Sequence, residues 1–425
     1  MAHAVHIKAP CNAGLRLYGE SRGQRMENRG PKDGDGELGA GRRLPYSKRF
    51  FGKSARVVTF HPHIIHHRRS MKEALVSPDL SVKVVDSPVP APGQAELLIK
   101  VFCAGCNPKD WKWPSFANIT ANSGDDIAGE VVSCGEGVVG FRAGDRVAAF
   151  HQMRTAGGAF AEFAVAPAAT TFHLPDHITF AEAATIPLAA LTAAIALYHN
   201  LGLPLPWQQA QGKIPLLIYG GSTAIGTFAI KLAGQSKIHP LLVIAGKGRA
   251  VVEPLLDVAL GDAIIDYRDG LDATIKTIQS KLEAAGSGSA LHAFDAISET
   301  VSFGTLSRVL DPHGHITLVR PEGDYTSIPP SLTTSLTFVG IAHEDPPPMA
   351  ALKGIRWAAK GDGKDFAYVF CSLFSRGLQA GWLRGHPHEI FQHGLGGLAS
   401  ALQSLQRGEA SGVKYVLRLE IDGRE

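Results

Sequence analysis

The apolar positions between residues 71 and about 187 form short alternating or β-branched runs, separated by glycine and proline. Runs with this period of two predict strands. We expect strands at 81–85, 96–101, 127–132, 147–149 and 160–165. Their number and short spacing favour a β-rich domain built as a partly closed barrel.

From residue 214 the pattern changes to short apolar strands that alternate with helical stripes. The first helix carries its stripe at Ile225, Phe228, Ala229 and Leu232, a spacing that places them on one face. This alternation predicts a doubly wound parallel sheet of the Rossmann type, with the ligand at the carboxyl ends of the strands. We expect strands at 214–219, 241–245, 263–267, 291–297, 316–319 and 336–341, and further helices at 250–260, 271–285 and 301–310.

The residues after this alternating region predict a return to the first domain. An acidic and proline-rich stretch at 344–348 marks a stiff break. A helical pattern follows at 397–408, and a strand-like run at 413–419 is expected to dock on the β-rich part. The sequence thus divides into an N-terminal segment (1–70), a β-rich domain (71–187), a nucleotide-binding domain (188–345) and a C-terminal return (346–425).

The turn after the 214–219 strand has the composition of a phosphate-binding turn. Small residues let backbone amides approach a pyrophosphate, and the helix N-terminus directs partial positive charge at it. The glycine spacing is irregular, and an ordinary strand–turn–helix is the alternative. The residues predicted to bind a dinucleotide here are Gly220, Gly221, Ser222, Thr223, Ala224, Ile225 and Gly226.

The end of the second strand indicates which dinucleotide binds. NAD sites usually carry an acidic residue there for the ribose hydroxyls, but this chain has Lys247 and Arg249 and no carboxylate. Cationic donors suit a 2′-phosphate, so the sequence favours NADPH as cofactor. The alternative is that both cations are solvated loop charges.

Composition indicates an intracellular protein. The chain has 425 residues, a net charge of +3 and five cysteines. The odd cysteine count argues against a disulfide framework, and the near-neutral charge gives no indication of a nucleic-acid or membrane partner. The longest uncharged run, 183–198, is too short for a bilayer span. We therefore expect a cytoplasmic protein, monomeric or homodimeric.

Residues 1–70 differ in composition from the rest of the chain. They are rich in glycine and cations, and no acidic residue occurs from 41 to 70. Acidic residues between 20 and 37 argue against a mitochondrial presequence. The residues from Met71 onwards resemble the start of a typical protein. We therefore expect residues 1–70 to be disordered or an over-extended gene model, with organelle targeting as the alternative.

Four stretches carry a family resemblance in addition to the domain order. They are 107–111 (NPKDW), 124–129 (GDDIAG), 144–147 (GDRV) and 184–193 (ATIPLAALTA). Residues 71–419 resemble the medium-chain dehydrogenase/reductase superfamily, most closely its zinc-independent quinone-oxidoreductase-like branch and the fungal trans-acting enoyl reductases. The resemblance implies a GroES-like β-rich domain, a Rossmann domain and a reductase activity. It also implies an acyl-thioester substrate, or the acyl carrier domain of a polyketide synthase as partner.

Zinc ligands of the related alcohol dehydrogenases are absent from these motifs. Asn107 stands where a ligand would be expected, and Gly-Asp-Asp at 124–126 replaces the Gly-His-Glu motif. Cys103 and Cys106 form the only C-x-x-C pair, which is too few ligands for zinc. They are interpreted as buried small apolar residues, and the histidines at 61–67 as adventitious metal binders. We therefore predict no metal site.

The resemblance also implies site residues. Thr192, Gly340 and Ile341 are expected near the nicotinamide, Tyr267 near the adenosine phosphate and Lys414 close to the cofactor. For the acid or oxyanion donor, the candidates are Asn107, Lys109 and His151. Each could instead make a structural hydrogen bond, and solvent could protonate the product.

Two functions remain open at this point. The first is an NADPH-dependent reductase of activated double bonds (enoyl thioesters or enones) or quinones, since hydride transfer without zinc needs an electrophilic acceptor. The second is an NADPH-binding structural or sensing protein with little turnover.

Overall fold

The computed structural model describes residues 70–345, 347, 351–356 and 361–419. The predictions made for 1–69, including the histidine-rich stretch, lie outside the described residues.

A seven-stranded, mainly antiparallel sheet forms the β-rich part, as predicted. Its path runs β14-β15-β3-β4-β5-β7, and β6 pairs with β3. A separate antiparallel pair, β1 with β2, lies beside it. The bounds are β1 Ser70–Val76, β2 Val82–Pro88, β3 Glu96–Gly105, β4 Asp126–Cys134, β5 Arg146–Phe150, β6 Phe163–Pro167, β7 Thr171–His173, β14 His388–Phe391 and β15 Lys414–Arg418.

A six-stranded parallel sheet forms the second part, in the order β10-β9-β8-β11-β12-β13. The strand order reverses between β8 and β11, and a doubly wound sheet binds its ligand at such a switch point. The predicted α/β fold class is therefore confirmed. The bounds are β8 Leu216–Tyr219, β9 Leu241–Ile244, β10 Ala263–Ile265, β11 Ala290–Asp295, β12 Leu310–Leu318 and β13 Thr333–Leu336.

Helices cover the sheets and connect them. α3 is buried along its whole length, which explains why its sequence is apolar on every side. The bounds are α1 Lys109–Ala117, α2 Phe180–Ala183, α3 Pro187–Ala194, α4 Ala224–Gln235, α5 Arg249–Val252, α6 Leu271–Ala284, α7 Thr300–Ser307, α8 Gly363–Ala380 and α9 Leu398–Gln406. A π-helical turn, Ile195–Asn200, continues α3.

One helical stretch, Phe180–Asn200, has the length and hydropathy of a membrane span, but 89% of its apolar window is buried inside the fold. That burial is typical of a core helix. The uncharged run 183–198, judged from the sequence to be too short for a bilayer span, lies within this stretch.

The C-terminal return contacts the β-rich sheet. β15 pairs with β3 in antiparallel register, and Val416 lies opposite Gly105. β14 extends the sheet beyond β15. The predicted docking of the 413–419 strand is therefore confirmed.

Three predicted elements differ in the structure. The helix expected at 250–260 ends at Val252, and two 3₁₀ turns follow, because Pro254 cannot continue an α-helix. The strand expected at 336–341 is β13, which ends at Leu336, and Val339–Ala342 is a 3₁₀ turn. The segment that begins at Lys109, for which the sequence predicted no helix, is the helix α1.

Candidate active site

The phosphate turn connects β8 to α4. Thr223 caps α4, since its hydroxyl accepts the Gly226 amide at 3.0 Å and donates to the Gly220 carbonyl at 2.8 Å. Gly220 has φ of 80°, a conformation that favours glycine. The first-turn amides of Ala224 and Ile225 have no acceptor within the helix. The turn therefore presents the amide donors and dipole that an anion needs.

The glycines of this turn pack too closely against neighbouring protein atoms to carry a side chain. A Cβ on Gly221 would overlap the Val243 side chain, and one on Gly226 would overlap the Gly220 carbonyl. Gly248, from the loop after β9, packs equally closely against Ser222. Glycine at these positions thus permits the tight turn and the close helix–strand packing of a dinucleotide-binding turn, and the residues present fit a dinucleotide.

One detail of the predicted turn is corrected. The amides of Gly220 and Gly221 donate to the Ile244 carbonyl at 2.9 and 3.1 Å, so they are not free for phosphate. The available donors lie one step later, at the start of α4. The positive φ belongs to Gly220, whereas Gly221 is needed for its close approach to β9.

The predicted 2′-phosphate residues lie on the loop after β9 and at the end of β10. Lys247 and Arg249 are exposed, and Arg249 lies 3.8 Å from Glu253. A Cβ on Gly246 would meet the Tyr267 ring, and that ring packs 6.0 Å from Tyr219. The structure therefore brings Lys247, Arg249 and Tyr267 to the same end of the sheet as the phosphate turn.

Asn107, Asp126 and Lys414 form a buried cluster. Lys414 Nζ donates to Asp126 Oδ2 at 2.5 Å and to Asn107 Oδ1 at 3.0 Å. The Asn107 amide donates to the same carboxylate at 2.8 Å. The other carboxylate oxygen accepts the Leu188 amide at the start of α3. Both polar ends of the Asn107 side chain are therefore occupied.

Lys109 forms a second cluster on the first turn of α1. Its ammonium contacts the carboxylates of Asp110, at 3.0 Å, and Asp125, and donates to the Ser123 carbonyl. Burial would lower the pKa of Lys109, but the two carboxylates outweigh it and raise the pKa. Burial raises the pKa of Asp110 to about 7, although Lys109 opposes the shift.

His151 lies under the surface after β5. Nδ1 lies 2.7 Å from the Val165 carbonyl, and Nε2 lies 3.3 Å from the Thr155 carbonyl. The side chain is 2% exposed, and its role as acid or oxyanion donor stays a prediction. Its contacts fit the alternative, a structural hydrogen bond.

Thr192, Gly340 and Ile341 are buried in helical turns. The Thr192 hydroxyl donates to the Leu188 carbonyl at 2.7 Å, one turn earlier in α3. Gly340 and Ile341 lie in the 3₁₀ turn after β13, where the Gly340 carbonyl accepts the amides of His343 and Glu344. Their roles at a nicotinamide stay predictions.

Within the described ranges, no group of three or more His, Cys, Asp or Glu residues could hold a metal ion. Cys103 and Cys106 are buried, as the apolar interpretation predicted. Burial raises the pKa of Cys103 to about 11 and that of Cys106 further.

Sequence reasoning assigned no role to Asp110, Asp126 or His386. His386 is buried, with Nδ1 2.9 Å from the Thr227 hydroxyl of α4 and its amide bonded to Thr185. Asp126 belongs to the 124–129 motif, so the sequence alone could have identified it as a candidate site residue. The residues that pair with it and with His386 come from distant segments, and no sequence spacing reveals them.

Comparisons with known proteins agree with this geometry. Residues 93–176 match the alcohol dehydrogenase GroES-like domain. The trans-enoyl reductase fsr4 of Gibberella fujikuroi is 45% identical over 327 residues, which cover 76% of this chain and 90% of that protein. The quinone oxidoreductase of Coxiella burnetii has a TM-score of 0.58 at 22% identity, covering 83% of this chain and all of that chain. The crotonyl-CoA carboxylase/reductase AntE in complex with NADP has a TM-score of 0.59 at 17% identity, covering 82% and 95%.

Proposed function

The chain belongs to the trans-enoyl reductase family of the medium-chain dehydrogenase/reductase superfamily, and from this we propose that it reduces an activated double bond with NADPH and without zinc. An enoyl thioester is the expected acceptor, with enones and quinones as further candidates. Membership of this family by itself implies a nicotinamide-dependent reductase.

The observation that carries the proposal is the tight turn formed by Gly220, Gly221 and Gly226 at the start of α4, where a Cβ on any of the three would overlap neighbouring protein atoms. Ala224 and Ile225 would supply the backbone amides that hold a phosphate, and Gly248 brings the loop after β9 against the turn. The choice of NADPH over NADH rests on the exposed cations Lys247 and Arg249. The NADP complex of the structural neighbour AntE agrees with it.

Zinc independence is supported by the hydrogen bonds and ion pairs of the residues at the motifs where zinc ligands would be expected. Asp125 is bound by the Lys109 ammonium, and Asn107 is bound by Lys414 and Asp126. An ammonium group thus fills the position between carboxylates that a cation would need. This donor set does not fit a catalytic zinc.

The residues of the chain supply positioning and charge. When bound, the dihydronicotinamide supplies the hydride, so the acceptor must already be polarised. We place the nicotinamide against the turn of Gly340 and Ile341 and the buried end of α3 at Thr192. Asn107 is fixed by Lys414 and Asp126, so we assign it to positioning of this wall.

The substrate is proposed to arrive on the acyl carrier domain of a polyketide synthase, in keeping with the trans-acting family. The four described cysteines, Cys103, Cys106, Cys134 and Cys371, are free, which fits the proposed cytoplasmic location. The protein is proposed to act as a monomer or homodimer.

The deciding experiment measures NADPH oxidation with a panel of enoyl thioesters, enones and quinones, together with NADPH binding by fluorescence titration. Turnover highest with an enoyl thioester supports the proposal, as does detection of the saturated product. Tight NADPH binding with no turnover for any acceptor would instead support a binding or sensing protein. Weak or absent NADPH binding would contradict both.

A further inference from the structure

Asn200 ends the π-helical turn that continues α3, and its side chain reaches the six-stranded parallel sheet. The amide nitrogen donates to the Thr317 hydroxyl at 3.0 Å, and to the Leu336 carbonyl and the Thr337 hydroxyl at 3.1 Å each. These acceptors lie at, or directly after, the carboxyl ends of β12 and β13. Asn200 therefore joins the end of the α3 stretch to two neighbouring strand ends.

The acceptors fix the orientation of the Asn200 amide. A backbone carbonyl can only accept, so the contact with Leu336 requires the NH2 end of the amide to face the strands. The other end, Oδ1, lies 3.3 Å from His199 Nδ1 within the π turn. The side chains of Asn200, Thr317 and Thr337 are buried, and the two hydroxyls are 2.7 Å apart. The amide is thus a buried bridge whose loss leaves polar groups without a partner.

The bridge connects the two elements against which we place the nicotinamide. Thr337 comes directly before the turn that contains Gly340 and Ile341, and its backbone amide donates to the Leu318 carbonyl at 2.6 Å. On the other side, the π turn begins directly after α3, the helix that carries Thr192. π-Helical turns are rare and occur frequently at functional sites. One buried amide therefore links both sides of the proposed nicotinamide wall.

We propose that Asn200 is a positioning residue of the proposed reduction, which holds the Gly340–Ile341 turn and α3 in the relative positions that the nicotinamide ring needs. The proposal rests on the proposed reductase function, and it assigns Asn200 no contact with cofactor or substrate. Hydride transfer requires the donor and acceptor carbons to be held close together, and a misplacement of about 1 Å can cost about 100-fold in rate. A wall that shifts when its bridge is removed therefore slows the transfer, although no reacting atom has changed.

The first test compares the binding of two ligands by titration calorimetry. NADPH carries the nicotinamide, whereas adenosine 2′,5′-bisphosphate carries the adenosine and the 2′-phosphate without it. Asn200→Ala should weaken NADPH binding by about fivefold or more, because the wall is no longer preorganised, and should leave the bisphosphate affinity unchanged. An equal loss for both ligands would mean that the variant disturbs the whole nucleotide-binding part, which would overturn the proposal. Unchanged NADPH affinity would overturn it as well.

Single-turnover kinetics give a readout that a purely structural role would not change. NADPH-saturated protein is mixed with the enoyl thioester that the wild type turns over fastest. Loss of folded protein lowers the amplitude of the absorbance change, whereas a displaced nicotinamide lowers its rate constant. Asn200→Ala should lower the rate constant by about 10-fold or more. A lower amplitude with the wild-type rate constant would assign Asn200 to stability alone and contradict the proposal.

Tyr198→Phe is the matched control from the same π turn. The Tyr198 hydroxyl lies 2.8 Å from the Leu232 carbonyl and 2.8 Å from Ser236 Oγ, at the C-terminal end of α4. The variant therefore removes buried hydrogen bonds of the turn on the side away from the wall. Its unfolding midpoint should fall, while both affinities and the rate constant stay at wild-type values. If Tyr198→Phe slows hydride transfer as much as Asn200→Ala, general loosening of the turn explains the effect and the proposal fails.

Thr337→Val and Thr337→Ser test the same bridge, and they also serve if Asn200→Ala does not fold. Valine keeps the shape of threonine without its hydroxyl, whereas serine keeps the hydroxyl that Asn200 binds. Thr337→Val should weaken NADPH binding selectively and slow the single turnover, and Thr337→Ser should preserve both. Identical behaviour of the two variants would show that the hydrogen bond is not what positions the wall.

The binding comparison separates this proposal from the proposed function, because it needs no turnover. A wild type that binds NADPH but reduces no acceptor would remove the reductase function. A selective loss of NADPH affinity in Asn200→Ala would then still support the bridge as a device that positions the nicotinamide. Conversely, an active wild type whose Asn200→Ala variant binds NADPH normally and transfers hydride at the wild-type rate would leave the function in place and refute the role of Asn200.

Discussion

Lys414 of the last strand and Asp126 of β4, 288 residues apart in sequence, meet in a buried ion pair. The Lys414 residue is 4% exposed and Asp126 is fully buried. Because Asp126 also accepts the Leu188 amide, the pair ties β15 to β4 and to the start of α3. The ion pair therefore fixes the C-terminal return against the proposed active site.

Lys414→Met should strongly destabilise the protein, because it leaves the Asp126 carboxylate buried without its ammonium partner. Breaking such a pair typically costs about 3–5 kcal/mol. Chemical denaturation would measure the loss. The double variant Lys414→Met with Asp126→Asn should recover part of it, since no buried charge remains. Equal stability of the single and double variants would show that the ion pair is not the cause.

The two sheets could be predicted because the patterns that indicate their strands and turns lie within short stretches of sequence. The alternating runs gave the positions of β3 to β6, and the strand–turn–helix at Gly220 gave β8 and α4. The Asp126–Lys414 pair could not be predicted, because its members meet only after β15 pairs with β3. The role of Gly221 depends likewise on Val243, which a neighbouring strand supplies.

Gly221→Ala should weaken NADPH binding by about 10-fold or more, or about 1.4 kcal/mol. The new Cβ would overlap Val243, and the turn must shift away from β9 to accommodate it. Fluorescence titration gives the affinity, and thermal unfolding reports the cost to the fold. Gly234→Ala, near the end of the same helix with open space around its Cβ, should bind NADPH normally. Normal binding by both variants would place the cofactor elsewhere.

Thorough chelation should leave both fold and reductase activity intact, because Lys109 and Lys414 occupy the carboxylates at the motifs where zinc ligands would be expected. Elemental analysis of the purified protein measures bound metal directly. Kinetic assays before and after chelation give the activity. One tightly bound zinc per chain, with activity lost on its removal and restored on its return, would refute the assignment.

His386 should make the protein less stable as pH falls below about 6.5. Burial, reinforced by Lys231 and Lys414, lowers the pKa of His386 to about 3. The unfolded chain therefore takes up a proton near pH 6.5 that the folded protein refuses until about pH 3, and stability is lost through this window. His386→Asn should reduce the slope by up to about 1.4 kcal/mol per pH unit. Denaturant midpoints at pH 7, 5 and 4 would show it, and an unchanged slope would contradict the assignment.

Replacing Lys247 and Arg249 together by Ala should reduce the preference for NADPH over NADH by about 10-fold or more, which requires only about 1.4 kcal/mol. Charge-assisted hydrogen bonds to a phosphate are worth about 1.5–3 kcal/mol before solvent exposure weakens them. The contacts of NADH should change little. The comparison is made on kcat/KM for both cofactors at fixed ionic strength, because salt screens exposed charges.

The single variants should differ, because Arg249 lies 3.8 Å from Glu253 and is partly neutralised by it. Lys247→Ala should therefore cause the larger share of the loss. The matched control, Lys276 and Lys281 of α6 both changed to Ala, removes the same charge from an exposed helix and should leave the preference unchanged. If the control loses preference equally, the effect is one of net charge. If the Lys247/Arg249 variant keeps its full preference, both cations are ordinary loop charges and another group, such as Tyr267, must recognise the 2′-phosphate.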